Sequence, residues 1–128
     1  MIGSTRAIRV IAFAGPVDMR KQFDALSALV TEKLKRDVLS GELFLFVARN
    51  RKRAKVLFWD GTGLCLFAKR LERGKFAAPW QRTNGDDLTQ PMKLTISELT
   101  LFLEGSVLVG RVPLSPAPFL FEKKVSLG

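Results

Sequence analysis

Three short apolar runs, separated by turn residues, fill the segment from residue 41 to residue 76: GELFLFVARNRKRAKVLFWDGTGLCLFAKRLERGKF. Runs of this length, rich in Phe, Val, Leu and Trp, are typical of β-strands. We predict strands over Glu42–Ala48, Arg53–Trp59 and Leu64–Leu71, with a hairpin turn at Asp60–Gly63. Three consecutive strands joined by short connections restrict this part of the chain to an antiparallel meander.

The flanking segments add helices to this meander. Arg9–Ala14 is predicted to be a first strand. Asp18 is the predicted N-cap of an amphipathic helix, whose apolar residues recur at the helical period: Met19, Phe23, Leu26, Val30 and Leu34. Residues 77–91 are rich in turn formers and are predicted to form a loop. Thr95 and Glu98 have the spacing of a capping box, and Gly105 would end the helix that follows.

The fold class is therefore predicted to be α+β, with a length of 128 residues that suits one small domain. In this prediction an N-terminal strand and an amphipathic helix pack on a three- to four-stranded antiparallel meander, and a short helix closes the domain. We assign the domain to residues 1–105. Residues 106–128 form a proline-rich tail, which is either an added edge strand or a disordered segment.

Positive charge is concentrated on the meander. The chain has a formal net charge of +9, and the stretch from residue 49 to residue 75 contributes nine basic and two acidic side chains. A basic surface of this kind favours a polyanionic partner, nucleic acid before others. The predicted nucleic-acid-binding residues are Arg49, Arg51, Lys52, Arg53, Lys55, Lys69, Arg70, Arg73 and Lys75.

Three further residues are candidates for secondary contacts to phosphate or to a protein partner. Arg20 and Lys21 lie at the predicted helix start, where backbone amides also attract anions. They could equally be solvated charges beside the capping Asp18, and Arg20 could pair with Asp60. Trp59 shares a strand face with basic residues and could stack on a base, although a large aromatic side chain is more often buried.

Several kinds of chemistry are disfavoured by composition. The chain has no histidine and a single cysteine, Cys65, so a His-based nucleophile pair, an ordinary zinc site and an internal disulfide are not available. We expect no catalytic residue, no metal and no cofactor. A metal-dependent nuclease remains a minor alternative, and Asp18 and Asp60 would be its nearest pair of carboxylates. No apolar run approaches the ~20 residues that span a bilayer, which predicts a cytoplasmic protein without a membrane partner.

Several longer strings carry a family resemblance: GPVDMRK at 15–21, RDVLSGELFLF at 36–46, KVLFWDGTGLCLFAKRLERGKF at 55–76 and LTISELTLFLEG at 94–105. Over about residues 8–105 the chain resembles the TnpB accessory protein, the second-frame product of insertion-sequence sixty-six type bacterial transposable elements. It departs from the family's usual ending after Gly105, where it reads Ser106-Val-Leu-Val.

The resemblance implies a role in transposition beside a separate transposase and a further accessory protein of the same element. Two hypotheses for the molecular role remain open. In the first, the protein is a non-enzymatic accessory factor whose basic surface contacts DNA weakly or without sequence preference. In the second, it is a protein-interaction module whose basic residues dock on the transposase or on the other accessory protein.

Overall fold

A computed structural model describes residues 8–81 and 91–105 of the chain. The elements follow in the order β1 (Val10–Pro16), α1 (Phe23–Glu32), β2 (Leu43–Val47), β3 (Arg53–Trp59), β4 (Leu64–Arg70), β5 (Met92–Leu94) and α2 (Ile96–Leu103). The five strands form one sheet in the spatial order β4-β3-β2-β1-β5. The predicted α+β class is confirmed.

The antiparallel meander of β2, β3 and β4 is also confirmed. The sheet as a whole is mixed, because β1 pairs with β2 in parallel. A parallel pair needs a crossover connection, and α1 supplies it. β5, which the sequence analysis missed, pairs antiparallel with β1 and makes the second edge of the sheet. Three residues are too few for a periodic pattern, and the pairing with β1 rather than local sequence creates this strand.

Both faces of the sheet are covered, which explains why β2 is a continuous apolar run rather than an alternating one. On the face of α1, Ile11, Phe44 and Phe46 pack with Leu26 and Val30 of the helix. The core on the face of α2 contains residues of four strands, of the segment after β4 and of α2 itself: Val10, Ala12, Leu45, Val47, Ala54, Val56, Phe76, Leu94, Leu99 and Phe102. β1, β2 and β3 therefore contribute alternate side chains to two separate apolar clusters.

The predicted start of the first helix was wrong. α1 begins at Phe23, after an N-cap at Gln22 that makes no side-chain capping bond. Asp18 instead accepts hydrogen bonds from the backbone and guanidinium of Arg20, which forms a turn before the helix. Met19 lies in this turn, although it still packs against the cluster on the α1 face. The predicted apolar stripe correctly identified the face of α1 that packs on the sheet, since Leu26 and Val30 are fully buried.

The signals for the hairpin and for the second helix are confirmed. Oδ1 of Asp60 accepts hydrogen bonds from the backbone amides of Thr62 and Gly63 at 2.9 and 3.0 Å, which closes the turn between β3 and β4. Thr95 and Glu98 form the reciprocal capping box at the start of α2. Gly105 follows the helix with a φ of 79°, the left-handed conformation that glycine adopts freely.

Within the described parts of the chain, no helix is long and apolar enough to cross a membrane. The predicted tail at 106–128 and most of the predicted loop at 77–91 lie outside the described residues.

Candidate nucleic-acid interface

One end of the sheet collects the basic candidates of the sequence analysis, and the strand directions determine which end it is. β1 and β2 run in parallel, and β3 runs opposite to β2. The carboxyl ends of β1, β2 and β4 and the amino end of β3 therefore lie at the same end of the sheet, where Pro16 is level with Val47 and Arg53 with Arg70. We call this end of the sheet, with the connections that leave it, the basic end.

All the basic candidates of the sequence analysis lie in or next to the basic end. Arg20 and Lys21 follow β1, and Arg49, Arg51 and Lys52 lie in the connection between β2 and β3. The remainder come from the start of β3, the end of β4 and the turn after it: Arg53, Lys55, Lys69, Arg70, Arg73 and Lys75. The fold thus brings residues up to 55 positions apart in the chain, such as Arg20 and Lys75, to the basic end.

Only part of this set is available to a partner. Arg49, Arg53, Arg73 and Lys75 are exposed, and their side chains make no hydrogen bond or ion pair within residues 8–81 and 91–105. Arg70 pairs with Glu72 at 3.2 Å, and both side chains remain mostly in solvent. Such an exposed pair contributes little stability and is easily exchanged for a phosphate.

Lys55 has a structural role instead. It is 8% exposed, and its Nζ donates hydrogen bonds to the carbonyl oxygens of Met19 at 2.9 Å and Lys21 at 2.8 Å. The ammonium thereby fixes the turn between β1 and α1 onto the sheet, and it has no free surface to offer to a phosphate.

Three more basic side chains also hold backbone carbonyls. Nζ of Lys69 donates to the carbonyl of Leu103 at 2.7 Å, in the last turn of α2, where a cation complements the helix dipole. Nε of Arg51 donates to the carbonyl of Phe76 at 2.9 Å. Lys52 makes a longer contact of 3.5 Å with the carbonyl of Gly74. These residues shape the basic end and keep only part of their surface for a ligand.

Arg20 is 91% exposed in its side chain and pairs with Asp18, not with Asp60 as one alternative had it. The hydrogen bonds from the side chain and backbone of Arg20 lower the pKa of the Asp18 carboxyl to about 2. Asp18 is therefore ionised at neutral pH and offsets one charge of the basic end, and its carboxylate also interacts electrostatically with Lys21.

Trp59 and Asp60 lie at the opposite end of β3 from Arg53. Six residue steps of ~3.3 Å separate the two ends of this strand by ~20 Å. Asp18 and Asp60 therefore do not converge, and the carboxylate pair predicted for a nuclease is not formed.

Trp59 is half-buried and lies far from the basic end. Among the described residues there is no group of three or more His, Cys, Asp or Glu that could hold a metal ion.

The Asp60 turn gives a pH-dependent contribution to stability. Hydrogen bonds from the amides of Thr62 and Gly63 and from the Cys65 thiol lower the pKa of Asp60 to about 2. This contribution is complete above the ordinary carboxyl pKa of 3.8 and is lost as the pH falls toward 2. We expect Asp60→Asn to be less stable than the parent at pH 7, with a difference that shrinks between pH 4 and pH 2. Urea unfolding across that range measures it, and a constant difference would contradict it.

Beside the basic end, a depression of about 690 Å³ opens between the start of α1 and β4. Its sides include Gln22 and Phe23 of the helix start, and Leu66, Ala68 and Arg70 of β4. Sequence reasoning missed Gln22 because it placed the helix start four residues too early. No periodic or motif signal identifies such a position before the helix start is known.

Comparison with known proteins finds a matching family model and two similar proteins. The family model described as IS66 Orf2 like protein matches residues 8–112. Two similar proteins, both from Sinorhizobium fredii (strain NBRC 101917 / NGR234), are named uncharacterized protein y4jC and uncharacterized protein y4hO. They are 40% and 44% identical over 79 residues, which cover 62% of this chain and 68% and 69% of theirs. No solved structure gives a significant match.

Proposed function

The chain belongs to the IS66 Orf2-like family and has an accessory role in transposition, and we propose that it performs this role by binding DNA through the basic end. In this proposal the protein is not an enzyme and needs no metal or cofactor. It works in the cytoplasm with the transposase and a further accessory protein of the same element, which contact other surfaces.

The observation that carries the proposal is the convergence of unpaired basic side chains at one edge. Arg49, Arg53, Arg73 and Lys75 are exposed and have no anionic partner among the described residues, and Lys21, which is half-buried and close to Asp18, adds a fifth basic side chain. Mutual repulsion makes such a cluster costly unless a polyanion neutralises it. Phosphates of a duplex are regularly spaced anions, and about five contacts would suffice for weak binding without base readout.

The nuclease alternative has less support. Two-metal cleavage needs carboxylates that share ions ~4 Å apart, whereas Asp18 is bound by Arg20 and Asp60 by its own turn at the other end of β3. The basic end has the side chains for holding a phosphate backbone, and within residues 8–81 and 91–105 it has no group of carboxylates placed to cut one.

Titration of the purified protein with a labelled duplex that carries an end of the element tests the proposal, with an unrelated duplex for comparison. We expect similar affinity for both duplexes and a log–log salt slope of roughly −4 to −5, as about five phosphate contacts predict. Replacing Arg49, Arg53, Arg73 and Lys75 by Gln should remove about 3 to 4 units of that slope and weaken binding by at least about 100-fold at low salt.

A matched variant controls for net charge. Arg9, Lys33, Lys35 and Lys93 are exposed and lie outside the basic end, because α1 and β1 place the first three at the far end of the sheet. Their replacement by Gln removes the same total charge and should leave most of the slope intact. Absence of binding at low salt, or equal losses in both variants, would overturn the proposal.

A further inference from the structure

In the part of the chain that the structure describes, β4 is an edge strand whose outer side is open. It pairs with β3 on one side only, and no other strand of residues 8–81 and 91–105 pairs with it. The amide of Leu71 donates to the carbonyl of Lys52 at 2.8 Å, so odd-numbered residues here point their backbone groups toward β3. Leu64, Leu66, Ala68 and Arg70 therefore direct their N–H and C=O groups outward.

This edge lacks the usual protection against pairing. Natural edge strands carry a proline, a bulge or a central charge, whereas β4 is uncharged from Leu64 to Ala68 and pairs with β3 in unbroken register. Phe67, at the centre of the strand, is 44% exposed on the α2 face. The edge thus combines free backbone groups with an exposed aromatic ring.

We propose that β4 pairs antiparallel with β4 of a second copy of this chain, about a two-fold axis at Phe67, to form a continuous ten-stranded sheet. In this register Leu64 is opposite the partner's Arg70, and Leu66 is opposite the partner's Ala68. All four outward-facing residues of each copy then exchange backbone hydrogen bonds. The two Phe67 rings face each other as a close cross-strand aromatic pair.

The distribution of charge favours this antiparallel pairing and a second copy of the chain as the partner. The basic residues of β4, Lys69 and Arg70, are both at its carboxyl end. The two-fold axis therefore places the partner's Lys69 and Arg70 at the opposite end of the joined strands, where the like charges do not meet. It also brings the exposed Asp60 turn, which precedes Leu64, to the same end of the joined strands as the partner's Arg70 and Arg73. The depression beside Ala68 leaves room on the α1 face for the partner's Leu66.

The inference goes beyond the proposed function and stands independently of it, since β4 pairing needs no DNA. In such a dimer the two basic ends lie at opposite ends of the joined β4 strands. One assembly could then hold two duplex segments.

An engineered disulfide tests the register in the full-length protein. Phe67→Cys in a Cys65→Ser background places two thiols opposite each other at a position with a Cα separation of ~4.5 Å, within disulfide range. Mild oxidation should convert it to a covalent dimer on a non-reducing gel. The parent Cys65 serves as the control, because its partner copy is four residue steps or ~13 Å away and should not cross-link.

Sedimentation equilibrium over a wide range of protein concentration tests the assembly itself. The parent should form dimers, and Phe67→Lys, which sets two like charges across the axis, should weaken the dimer by about tenfold or more. Leu39→Lys alters another large exposed apolar side chain, 51% accessible in the connection between α1 and β2, and should not change dimerisation. A monomer at all concentrations, as expected if residues 106–112 of the same chain cover the edge, would overturn the proposal. So would an unaffected Phe67→Lys dimer or an absent cross-link.

Discussion

Replacing Lys55 by methionine is expected to lower the free energy of unfolding by about 3 kcal/mol, and by up to about 5 kcal/mol if the turn cannot rearrange. The substitution keeps the length of the side chain and removes the ammonium. It leaves the carbonyl oxygens of Met19 and Lys21 without their donor, at a site where Lys55 is 8% exposed. Urea unfolding followed by circular dichroism gives the difference.

Lys52→Met is the matched control, because Lys52 is only half-buried and its Nζ reaches the carbonyl of Gly74 only at 3.5 Å. We expect that change to lower the free energy of unfolding by less than about 1 kcal/mol.

A DNA-binding measurement distinguishes the structural role of Lys55 from a direct contact of its ammonium with DNA. Under conditions where Lys55→Met remains folded, its salt slope should equal that of the parent. A fall of about one unit, as for the loss of a phosphate contact, would show that the ammonium reaches the ligand.

Phe76→Ala is expected to destabilise the protein by about 3 to 5 kcal/mol, the usual range for deletion of a fully buried ring. Phe76 has no exposed surface, and its ring stacks on Phe102 of α2 with centroids 5.3 Å apart and an interplanar angle of 4°. Its backbone is held as well, since its amide donates to the carbonyl of Arg51 at 2.7 Å and its carbonyl accepts from Nε of Arg51. The alanine variant leaves a cavity between the segment after β4 and α2.

Phe23→Ala provides the comparison, because Phe23 is 42% exposed and should cost less than about 1.5 kcal/mol by the same urea measurement. A double-mutant cycle with Phe102→Ala should give a coupling of about 0.5 to 1.5 kcal/mol for the stacked pair. Equal losses for Phe76→Ala and Phe23→Ala would show that Phe76 is not part of the core.

Local signals in the sequence predicted those parts of the fold that local physics creates. The strands β3 and β4 follow from apolar runs bounded by turn residues, and the Asp60 turn and the Thr95 capping box follow from hydrogen bonds within two or three residues. The two failures, at the start of α1 and at β5, have different causes. Asp18 has the chemistry of an N-cap, but Arg20 competes for its carboxylate, and β5 exists only because β1 is beside it.

The candidate interface shows the same division. Charge counting identified a segment whose basic residues the structure places around one end of the sheet. It could not tell Lys55 and Lys69, which hold carbonyls 34 to 36 residues away, from Arg49 and Arg53, which hold none in the described chain. A lysine side chain has the same sequence signature in both roles, because the difference depends on what lies within ~3 Å of its ammonium.

The sequence by itself therefore determined the class of the fold, the hairpin, the second helix, the family and the excess of positive charge. The tertiary structure alone decided that β1 and β2 run in parallel, that the basic candidates meet at one end rather than both, and which of them have no partner among the described residues. Periodicity and capping act over a few residues and are visible in the chain. Strand direction and the burial of an ammonium are determined by contacts between residues far apart in sequence, which no local pattern contains.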